Sequence, residues 1–507
     1  MSGNKAIVIG SGFGGLAAAV RLGARGYDVT VIEKLDAPGG RAYVYKQDGF
    51  VFDAGPTIIT APFLFEELWE LCGKNMHDHI DLRSIDPFYT IRFDDGATFD
   101  YSGDAEAMRR EVAKFCPEDL DGYEKFLVSS RKVYEVGFDG LLDVSFDKFW
   151  SMLKVLPDLV RVQFYRSVHS LVAKYIKHPK LRMVFSFHPL LVGGNPFTTT
   201  SVYTLIQHLE RNHGVHFSMG GTGSMVTGLV DLIEGQGNSL RYNAEVAQIL
   251  TRDGKAVGVE LTDGEKIEAD IVVSNADSAS TYKRLLSKSP RKRWTDRKLK
   301  RAKYSMSLFV WYFGTDRKYD DVPHHMKLHG ERNRHLLEDI FDHKVLADDF
   351  SLYLHRPTAT DTSLAPEGCD GFYVLSPVPH LKSGVDWSQM AEVYRKAIAK
   401  SLSDTVLPDL EDHVISSHML TPHDFLHRLN SEQGAAFGLQ PLLTQTAWFR
   451  PHNRSEEYEN LYLVGAGTHP GAGLPGVISS AKVLDEIVPE VPGKALPTTG
   501  TLQEFPC

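Results

Sequence analysis

The sequence Lys5-Ala-Ile-Val-Ile-Gly-Ser-Gly-Phe-Gly-Gly15 is followed closely by Asp28-Val-Thr-Val-Ile-Glu33, and these two segments are the strongest indication of the fold. Each stretch begins with a short apolar run rich in β-branched residues, which is typical of a strand buried in a parallel sheet. Between them, Leu16–Leu22 consists mainly of strong helix formers and is closed by Gly26. The order strand, glycine turn, helix, strand and acid predicts a unit that binds a dinucleotide.

The residues of the turn have separate physical tasks. Gly10 permits the tight turn, and Gly12 has no side chain to keep a pyrophosphate away from the backbone. The helix that follows offers free N–H groups to the phosphates. A glycine-rich turn without a ligand is the alternative interpretation. The predicted dinucleotide contacts in this unit are Gly10, Gly12, Gly14, Gly15, Lys34 and, for the ribose hydroxyls, Glu33.

The residues after the second strand favour FAD over a nicotinamide dinucleotide. Pro38-Gly-Gly-Arg41 is a flexible turn, and Asp48-Gly-Phe-Val-Phe-Asp-Ala-Gly-Pro-Thr57 is a short hairpin-like stretch. A nicotinamide-binding domain would instead continue with another strand–helix–strand unit. Later, three strand-like runs at 245–251, 256–261 and 266–273 are joined by Asp-Gly pairs. They predict a three-stranded meander that returns to the parallel sheet.

A third signal lies near the C-terminus. Asn460–Gly465 has the pattern of a buried strand, residues 466–476 form a Gly/Pro loop, and a helix is predicted from Ser479. A glycine loop before a helix again presents a helix N-terminus to an anion. This arrangement suits the electron-rich N1/C2-oxygen side of a reduced flavin. The FAD domain is therefore predicted to be assembled from three separated stretches of chain.

Together these features resemble the amine-oxidase and carotenoid-desaturase flavoproteins, and among them the bacterial and fungal type of phytoene (carotenoid) desaturase. The resemblance runs from Ala6 to about Val488, through stretches such as Phe185-Ser-Phe-His-Pro-Leu-Leu-Val-Gly-Gly-Asn-Pro-Phe197 and Leu463-Val-Gly-Ala-Gly-Thr-His-Pro-Gly-Ala-Gly473. It implies FAD as the cofactor. The further contacts expected for FAD are Gly40, Arg41, Gly55, Pro56, Thr57, Val246, Asn275, Asp277, Gly465, Gly467, Thr468, Pro475, Gly476 and Val477.

The resemblance also implies the architecture, an α/β fold with three parts. A discontinuous Rossmann-like FAD-binding domain is accompanied by a mixed-sheet substrate domain and a helical, membrane-facing subdomain. The tail 489–507 is rich in Pro, Gly and Thr and is predicted to be disordered. The expected limits are 1–86, 211–288 and 439–488 for the FAD domain, 87–104 and 289–438 for the substrate domain, and 105–210 for the helical subdomain.

Two segments leave a structural and a membrane interpretation open. Residues 158–176 carry apolar side chains at helical spacing, and Pro157 is expected to separate this helix from the preceding one. The helix either packs on a core or dips into a membrane at the substrate entrance. The run Arg291–Lys303 holds eight Lys and Arg in thirteen residues. It is either a solvated helix face or a surface attracted to anionic headgroups.

The totals exclude several classes of function. A net charge of −10 argues against a nucleic-acid partner. The four cysteines have no CxxC spacing and the histidines no HExxH pattern, so no metal site is expected. No run of about eighteen apolar residues occurs, so no membrane-spanning helix is expected. We expect a cytoplasmic protein attached peripherally to the inner or cell membrane.

By resemblance, the reaction is the removal of two hydrogens from adjacent carbons of phytoene. A hydride would pass to flavin N5 and a proton would leave the neighbouring carbon, with oxygen or a membrane quinone as the final electron acceptor. The candidate catalytic residues are His469 in the flavin-facing loop, Arg166 on the entrance helix and His355 after a strand, and each has a structural alternative. The alternative functions are a carotenoid isomerase, a squalene-type desaturase, an amine oxidase, and a non-redox prenyl-protein binder of the same fold.

Overall fold

The computed structural model of the chain describes residues 4–142, 144–147 and 149–492. The strands are Lys5–Ile9, Asp28–Ile32, Val44–Gln47, Phe50–Asp53, Leu82–Ser84, Tyr89–Arg92, Thr98–Tyr101, His216–Ser218, Ser239–Arg241, Val246–Arg252, Lys255–Leu261, Lys266–Glu268, Ile271–Ser274, Ser307–Thr315, His325–Leu328, Leu352–His355, Asp370–Val378, Val414–Leu420 and Leu461–Leu463. The α-helices are Phe13–Ala24, Pro62–Glu70, Ala105–Phe115, Leu120–Tyr134, Phe149–Arg161, Val168–Val172, Pro179–Ser186, Leu205–His213, Thr222–Gly235, Ser278–Ser280, Asp296–Arg301, Asn333–Glu338, Trp387–Ser403, Leu410–His413, Pro422–His427, Leu474–Lys482 and Leu484–Ile487.

The N-terminal strand is the centre of a five-stranded parallel sheet. Lys5–Ile9 pairs with Asp28–Ile32 on one side and with Ile271–Ser274 on the other, and one further parallel strand lies at each edge. The helix that follows the first strand packs on this sheet with nearly its whole surface buried. Gly15 makes this packing possible, because a Cβ on it would lie 2.0 Å from the Gly10 carbonyl oxygen.

The predicted meander is present, with one correction. The run 266–273, predicted as a single strand, is divided between two sheets. Lys266–Glu268 completes the meander, whereas Ile271–Ser274 joins the parallel sheet. The chain changes sheets at Asp270, whose carboxylate accepts a hydrogen bond from the Lys5 amide at 2.8 Å and whose amide donates to the Lys5 carbonyl at 2.9 Å.

A seven-stranded mixed sheet, called the large sheet below, carries different residues on its two faces. Phe309, Trp311 and Phe313 pack under the helix Trp387–Ser403 on one face. The other face presents a row of residues that lie directly opposite one another on five neighbouring strands. This row is Leu420, Val310, Leu375, Tyr353 and Lys327. It spans four strand spacings, or about 19 Å.

The helical part of the chain differs from the prediction at Pro157. Phe149–Arg161, called the mouth helix below, continues through this proline and ends one turn later. A proline removes one helical hydrogen bond, and here the bonds on either side suffice to hold the helix. The break comes at Gln163, because its φ of +59° is not compatible with a right-handed helix. Arg166, predicted to lie on a helix, therefore lies in a turn.

The predicted parts of the chain contribute to different sheets. Strands of the parallel sheet come from the three stretches predicted for the FAD domain, and strands of the large sheet from the two predicted for the substrate domain. The domain limits themselves stay predictions. Of the predicted tail, residues 493–507 lie outside the described residues. Within the described residues, no helix is both long and apolar enough to cross a bilayer.

A buried ion pair between Arg356 and Asp370 lies at the start of Asp370–Val378, an interior strand of the large sheet. The Asp370 carboxylate accepts hydrogen bonds from Arg356 Nε at 3.0 Å, the Tyr319 amide at 2.8 Å and Thr358 Oγ1 at 2.7 Å. Arg356 Nη2 also binds Asp320 Oδ1 at 2.9 Å, but the Asp320 side chain is 83% exposed. Arg356 Nη1 also donates to the Val322 carbonyl at 2.8 Å. The two acidic partners of Arg356 therefore differ in burial and in the further hydrogen bonds that Asp370 accepts.

We predict that Asp370→Ala lowers the free energy of unfolding by about 3 kcal/mol, because it leaves the Arg356 guanidinium buried without its main partner. Asp320→Ala, the matched control, removes an exposed partner and is expected to cost about 1 kcal/mol or less. Urea denaturation followed by circular dichroism measures both values. Equal losses in the two variants would contradict this account.

Candidate active site

Three separated parts of the chain meet at the glycine-rich turn. A Cβ on Gly14 would lie 2.7 Å from Asn275 Oδ1 and 2.9 Å from the Gly465 Cα, so only glycine fits between them. Asn275 Nδ2 donates to the carbonyls of Gly10 and Gly12 at 3.3 and 3.4 Å. The N-terminal turn, the end of the strand Ile271–Ser274 and the C-terminal loop are thereby held against one another.

The chemistry of this cradle fits a dinucleotide. Gly12 is the N-cap of the first helix and provides no side-chain cap, so the first N–H groups of the helix are available to an anion. The Glu33 carboxylate is buried and accepts from the Ser11 amide and hydroxyl through Oε2, and from the Leu35 amide through Oε1. Oε1 retains a lone pair for a ribose hydroxyl. These groups match the diphosphate and ribose of FAD.

Arg41 and Asp277 are two half-buried residues of opposite charge beside the cradle. Arg41 donates through Nε to the Ala436 carbonyl at 2.7 Å and through Nη2 to Ser431 Oγ at 3.1 Å. Burial lowers the pKa of Arg41 and raises the pKa of Asp277, and the charge of each residue opposes the shift of the other. Arg41 therefore fixes the Gly-Gly-Arg turn to the loop that carries Ala436.

The predicted cofactor residues divide into two groups. Those in the wall of the main cavity are Gly12, Gly14, Gly40, Arg41, Gly55, Pro56, Thr57, Asn275, Gly465, Pro475, Gly476 and Val477. Those outside this wall are Gly10, Gly15, Glu33, Lys34, Val246, Asp277, Gly467 and Thr468. Lys34 donates to the His427 carbonyl, and Thr468 Oγ1 to the Pro451 carbonyl at 2.6 Å. Individual contacts with the cofactor stay predictions.

The main cavity has a volume of about 480 Å³ and extends from the glycine cradle across the large sheet. The row of facing residues on that sheet lies in its wall. Most of the wall is apolar, with side chains such as Leu209, Leu308, Val310, Leu352, Leu375 and Leu420. An apolar wall with few polar groups is suited to a long hydrocarbon.

The mouth helix lines one end of the cavity. Its Met152 and Leu159 lie in the cavity wall and pack with Leu141 and Phe146. Large apolar side chains are exposed on the outside of this end. They are Trp150, Leu153, Val160, Tyr165, Leu443 and Phe449, called the mouth patch below.

The basic run lies beside the mouth patch. Arg297, Lys298 and Arg301 line a small depression together with Phe449. Part of the charge of the run is used within the protein, since Arg291 pairs with Asp296 at 2.9 Å and Arg293 pairs with Glu456. Arg297, Lys298 and Arg301 therefore border the apolar patch at Phe449.

His469 lies in the cavity wall but does not cap the C-terminal helix. Its Nε2 donates to the Leu141 carbonyl at 2.8 Å, and its ring meets the edge of Phe146. Burial is the main cause that lowers the pKa of His469 to about 4. A neutral His469 thus ties the flavin-facing loop to the mouth of the cavity.

The other two candidate catalytic residues lie outside the cavity wall. Arg166 donates through Nε to Gln163 Oε1 at 2.9 Å and through Nη1 to Ser170 Oγ at 3.3 Å, which holds its own turn. His355 is buried within the large sheet, directly opposite Tyr373, with its Nδ1 3.2 Å from His325 Nδ1. The geometry gives both residues structural contacts, and their proposed catalytic roles stay untested predictions.

His355 belongs to a group of three buried histidines that sequence spacing did not reveal. Ligand atoms of His324, His325 and His355 lie within 4.8 Å of one another. This limit is wider than the distance of about 3.4 Å that separates the nitrogens around a tetrahedral zinc ion. The His325 ring also accepts or donates a hydrogen bond at 2.7 Å to Tyr353, which lies in the cavity wall. The group therefore lies beside Tyr353 on the same face of the sheet and supports that part of the cavity wall.

Sequence reasoning missed the residues of the large sheet that face the cradle. The Tyr373 hydroxyl lies 3.2 Å from the Gly55 carbonyl and 2.8 Å from Thr57 Oγ1. The alternation in Asp370–Val378 places Tyr373 and Leu375 on one face. It does not say which face meets the cofactor, because both faces of this strand are buried.

The family described as flavin containing amine oxidoreductase matches residues 13–483 of the chain. The chain therefore belongs to this family, whose cofactor is a flavin. Solved structures with the same fold include an oxidoreductase from Methanosarcina mazei, with a TM-score of 0.65 and 18% identity over 95% of this chain and 100% of that one. Another is putrescine oxidase bound to putrescine, with a TM-score of 0.63 and 13% identity over 96% and 99%.

Within the family the chain groups with the phytoene desaturases. It is 49% identical to the neurosporene-forming phytoene desaturase of Cereibacter sphaeroides, over 96% of this chain and 95% of that protein. It is 48% identical to the lycopene-forming phytoene desaturase of Pantoea ananas, over 94% and 97%. The resemblance seen in the sequence is thereby confirmed, and FAD is the cofactor that the cradle fits.

We predict that Gly12→Val abolishes flavin binding, because the side chain fills the approach of the phosphates. The φ of Gly12 is −69°, which valine adopts, so the loss would not come from backbone strain. Glu33→Ala should weaken binding without abolishing it. The ratio of flavin to protein absorbance measures occupancy. Gly235→Val is the matched control, since a Cβ there meets only Lys74 Nζ at 3.7 Å. Normal occupancy in Gly12→Val would refute the cradle.

Proposed function

We propose that the chain uses FAD to desaturate phytoene stepwise towards lycopene. The observation that carries this proposal is the single cavity that joins the glycine cradle to a mostly apolar wall about 19 Å across. The relatives named phytoene desaturase (neurosporene-forming) and phytoene desaturase (lycopene-forming) match nearly the whole chain and support the choice of substrate.

The protein's own contribution to this reaction is position and exclusion of water. Bound FAD supplies the acceptor for a hydride. The cradle loops hold the cofactor at one side of the cavity, where Gly55, Pro56 and Thr57 lie in the wall. The apolar row on the large sheet aligns a polyene along that wall. Because the charge that develops is spread along the conjugated chain, the geometry of these two walls is the main requirement.

An amine substrate fits the cavity less well. A charged amine needs a carboxylate, and the two in the wall are already engaged. Glu210 binds the Tyr89 hydroxyl at 2.7 Å and His188 Nε2 at 3.1 Å. Asp424 accepts from both the amide and the hydroxyl of Thr421 at 2.8 Å.

The proposal includes a peripheral contact with the cytoplasmic side of the cell membrane. The mouth patch surrounds the entrance through which an insoluble hydrocarbon would arrive, and exposed apolar groups of this size favour an interface. The neighbouring cations Arg297, Lys298 and Arg301 would meet anionic headgroups. Delivery from lipid also gives a membrane quinone access as electron acceptor, with oxygen as the alternative.

We predict that the purified FAD-loaded protein converts phytoene in liposomes into products with visible absorbance, because each step lengthens the conjugated system. Chromatography identifies the products and counts the steps. Parallel reactions under oxygen, and without oxygen but with a quinone, identify the acceptor. Putrescine is supplied in a parallel reaction, as the substrate expected if the protein is instead an amine oxidase. No new conjugated product from phytoene, with flavin bound, would overturn the proposed function.

We predict that the triple variant Trp150→Glu, Leu153→Glu and Val160→Glu binds liposomes containing anionic lipid at least about tenfold more weakly, because charged groups do not enter the interface. Flotation of the protein with liposomes measures binding. Val393→Glu on the helix Trp387–Ser403 is the control, since Val393 is also exposed but lies away from the mouth. Equal binding by the triple variant and the wild type would rule out the mouth patch as the contact.

A further inference from the structure

The end of the cavity away from the mouth is polar. Val202 packs with the mouth residues, whereas Glu210 lies about two helical turns, or about 12 Å, further along the same helical segment. Around Glu210 the wall contains Tyr89, Ser351 and Lys327, all of them buried. This group of four residues is called the polar end below.

Lys327 is the residue of the polar end whose polar atom has no partner. Tyr89 and Glu210 bind each other, and Ser351 Oγ accepts from the Gly330 amide at 3.3 Å. Only 8% of the surface of Lys327 is exposed. Across the described residues it has neither a hydrogen bond nor an ion pair. Its Nζ lies 3.8 Å from the centre of the Phe187 ring, which covers one side of it.

The direction of the Lys327 side chain follows from the sheet. Lys327 lies opposite Tyr353, at the end of the row that continues through Leu375, Val310 and Leu420. Residues opposite one another share a face, so the amino group points into the same cavity as the apolar row. Lys327 is the last member of this row, beyond Tyr353.

A hydrocarbon at this position would be unfavourable. It would displace water from the amino group and offer no acceptor in return, and an unsatisfied buried polar group costs roughly 1–3 kcal/mol. Burial alone already lowers the pKa of Lys327 well below its usual value. As amine or as ammonium, the group keeps N–H donors. A ligand oxygen at this point would satisfy them.

We propose that the polar end is a binding site for a hydroxyl or carbonyl oxygen at the leading end of an isoprenoid chain, with Lys327 as the hydrogen-bond donor. Two molecules carry this chemistry, a polyene that is oxygenated at one end and an isoprenoid quinone. The inference rests on the proposed function, since it extends the substrate class of the same cavity. Buried donors of this kind select strongly against analogues that lack the acceptor.

The test compares three ligands on FAD-loaded full-length protein. They are phytoene, a phytoene derivative with a hydroxyl on one terminal isoprene unit, and a ubiquinone with two isoprene units. Dissociation constants come from quenching of tryptophan fluorescence and from the change in flavin absorbance. We expect the hydroxylated derivative to bind the wild type about tenfold more tightly than phytoene. Lys327→Met should abolish this preference and bind phytoene more tightly than the wild type does.

Lys327→Gln is the matched variant, because glutamine keeps an N–H donor and should retain most of the preference. Normal flavin occupancy shows that each variant is folded. If only the ubiquinone depends on Lys327, the oxygen belongs to a quinone headgroup. If the wild type prefers phytoene, or if Lys327→Met keeps the wild-type preference, the proposal is wrong. Phytoene conversion by the same preparation separates this failure from failure of the proposed function.

Discussion

The structure depends on one close approach of backbones, at Gly14 between Asn275 and Gly465. These three residues belong to stretches of chain that are separated by about two hundred residues or more. Any side chain on Gly14 would separate the loops, because a Cβ would overlap both neighbours. The end of the strand Ile271–Ser274 and the loop before the C-terminal helix therefore meet the first glycine turn at this point.

The large sheet turns that fixed cradle into a site for a particular kind of ligand. Its outer face is committed to packing, with Phe309, Trp311 and Phe313 under a long helix. Its inner face is therefore free to serve as a wall of the cavity. Tyr373 joins the two parts, since its hydroxyl reaches Gly55 and Thr57 beside the cradle. Cofactor position and substrate alignment are consequently properties of one rigid arrangement.

The cradle could be predicted from the sequence because its chemistry is local. Gly10 to Glu33 is a single strand–helix–strand unit whose glycines and acid have fixed spacing. The cavity could not be predicted in the same way. A strand pattern shows which residues share a face but not what covers that face, so Tyr373 and Lys327 were missed. The predicted helix break at Pro157 was wrong for a related reason, since a proline weakens a helix but does not determine where the helix ends.

The polar groups of the cavity show how little acid–base chemistry the protein itself provides. His469 is held to the Leu141 carbonyl, Tyr373 to Thr57, and Glu210 to Tyr89 and His188. A group that already has its partners is a poor proton acceptor, because a new proton would break an existing buried bond. These contacts favour a mechanism in which the protein acts mainly by aligning the substrate with the cofactor. Lys327 departs from the pattern, and an unpaired donor in an apolar cavity is where a ligand's own polar atom would be recognised.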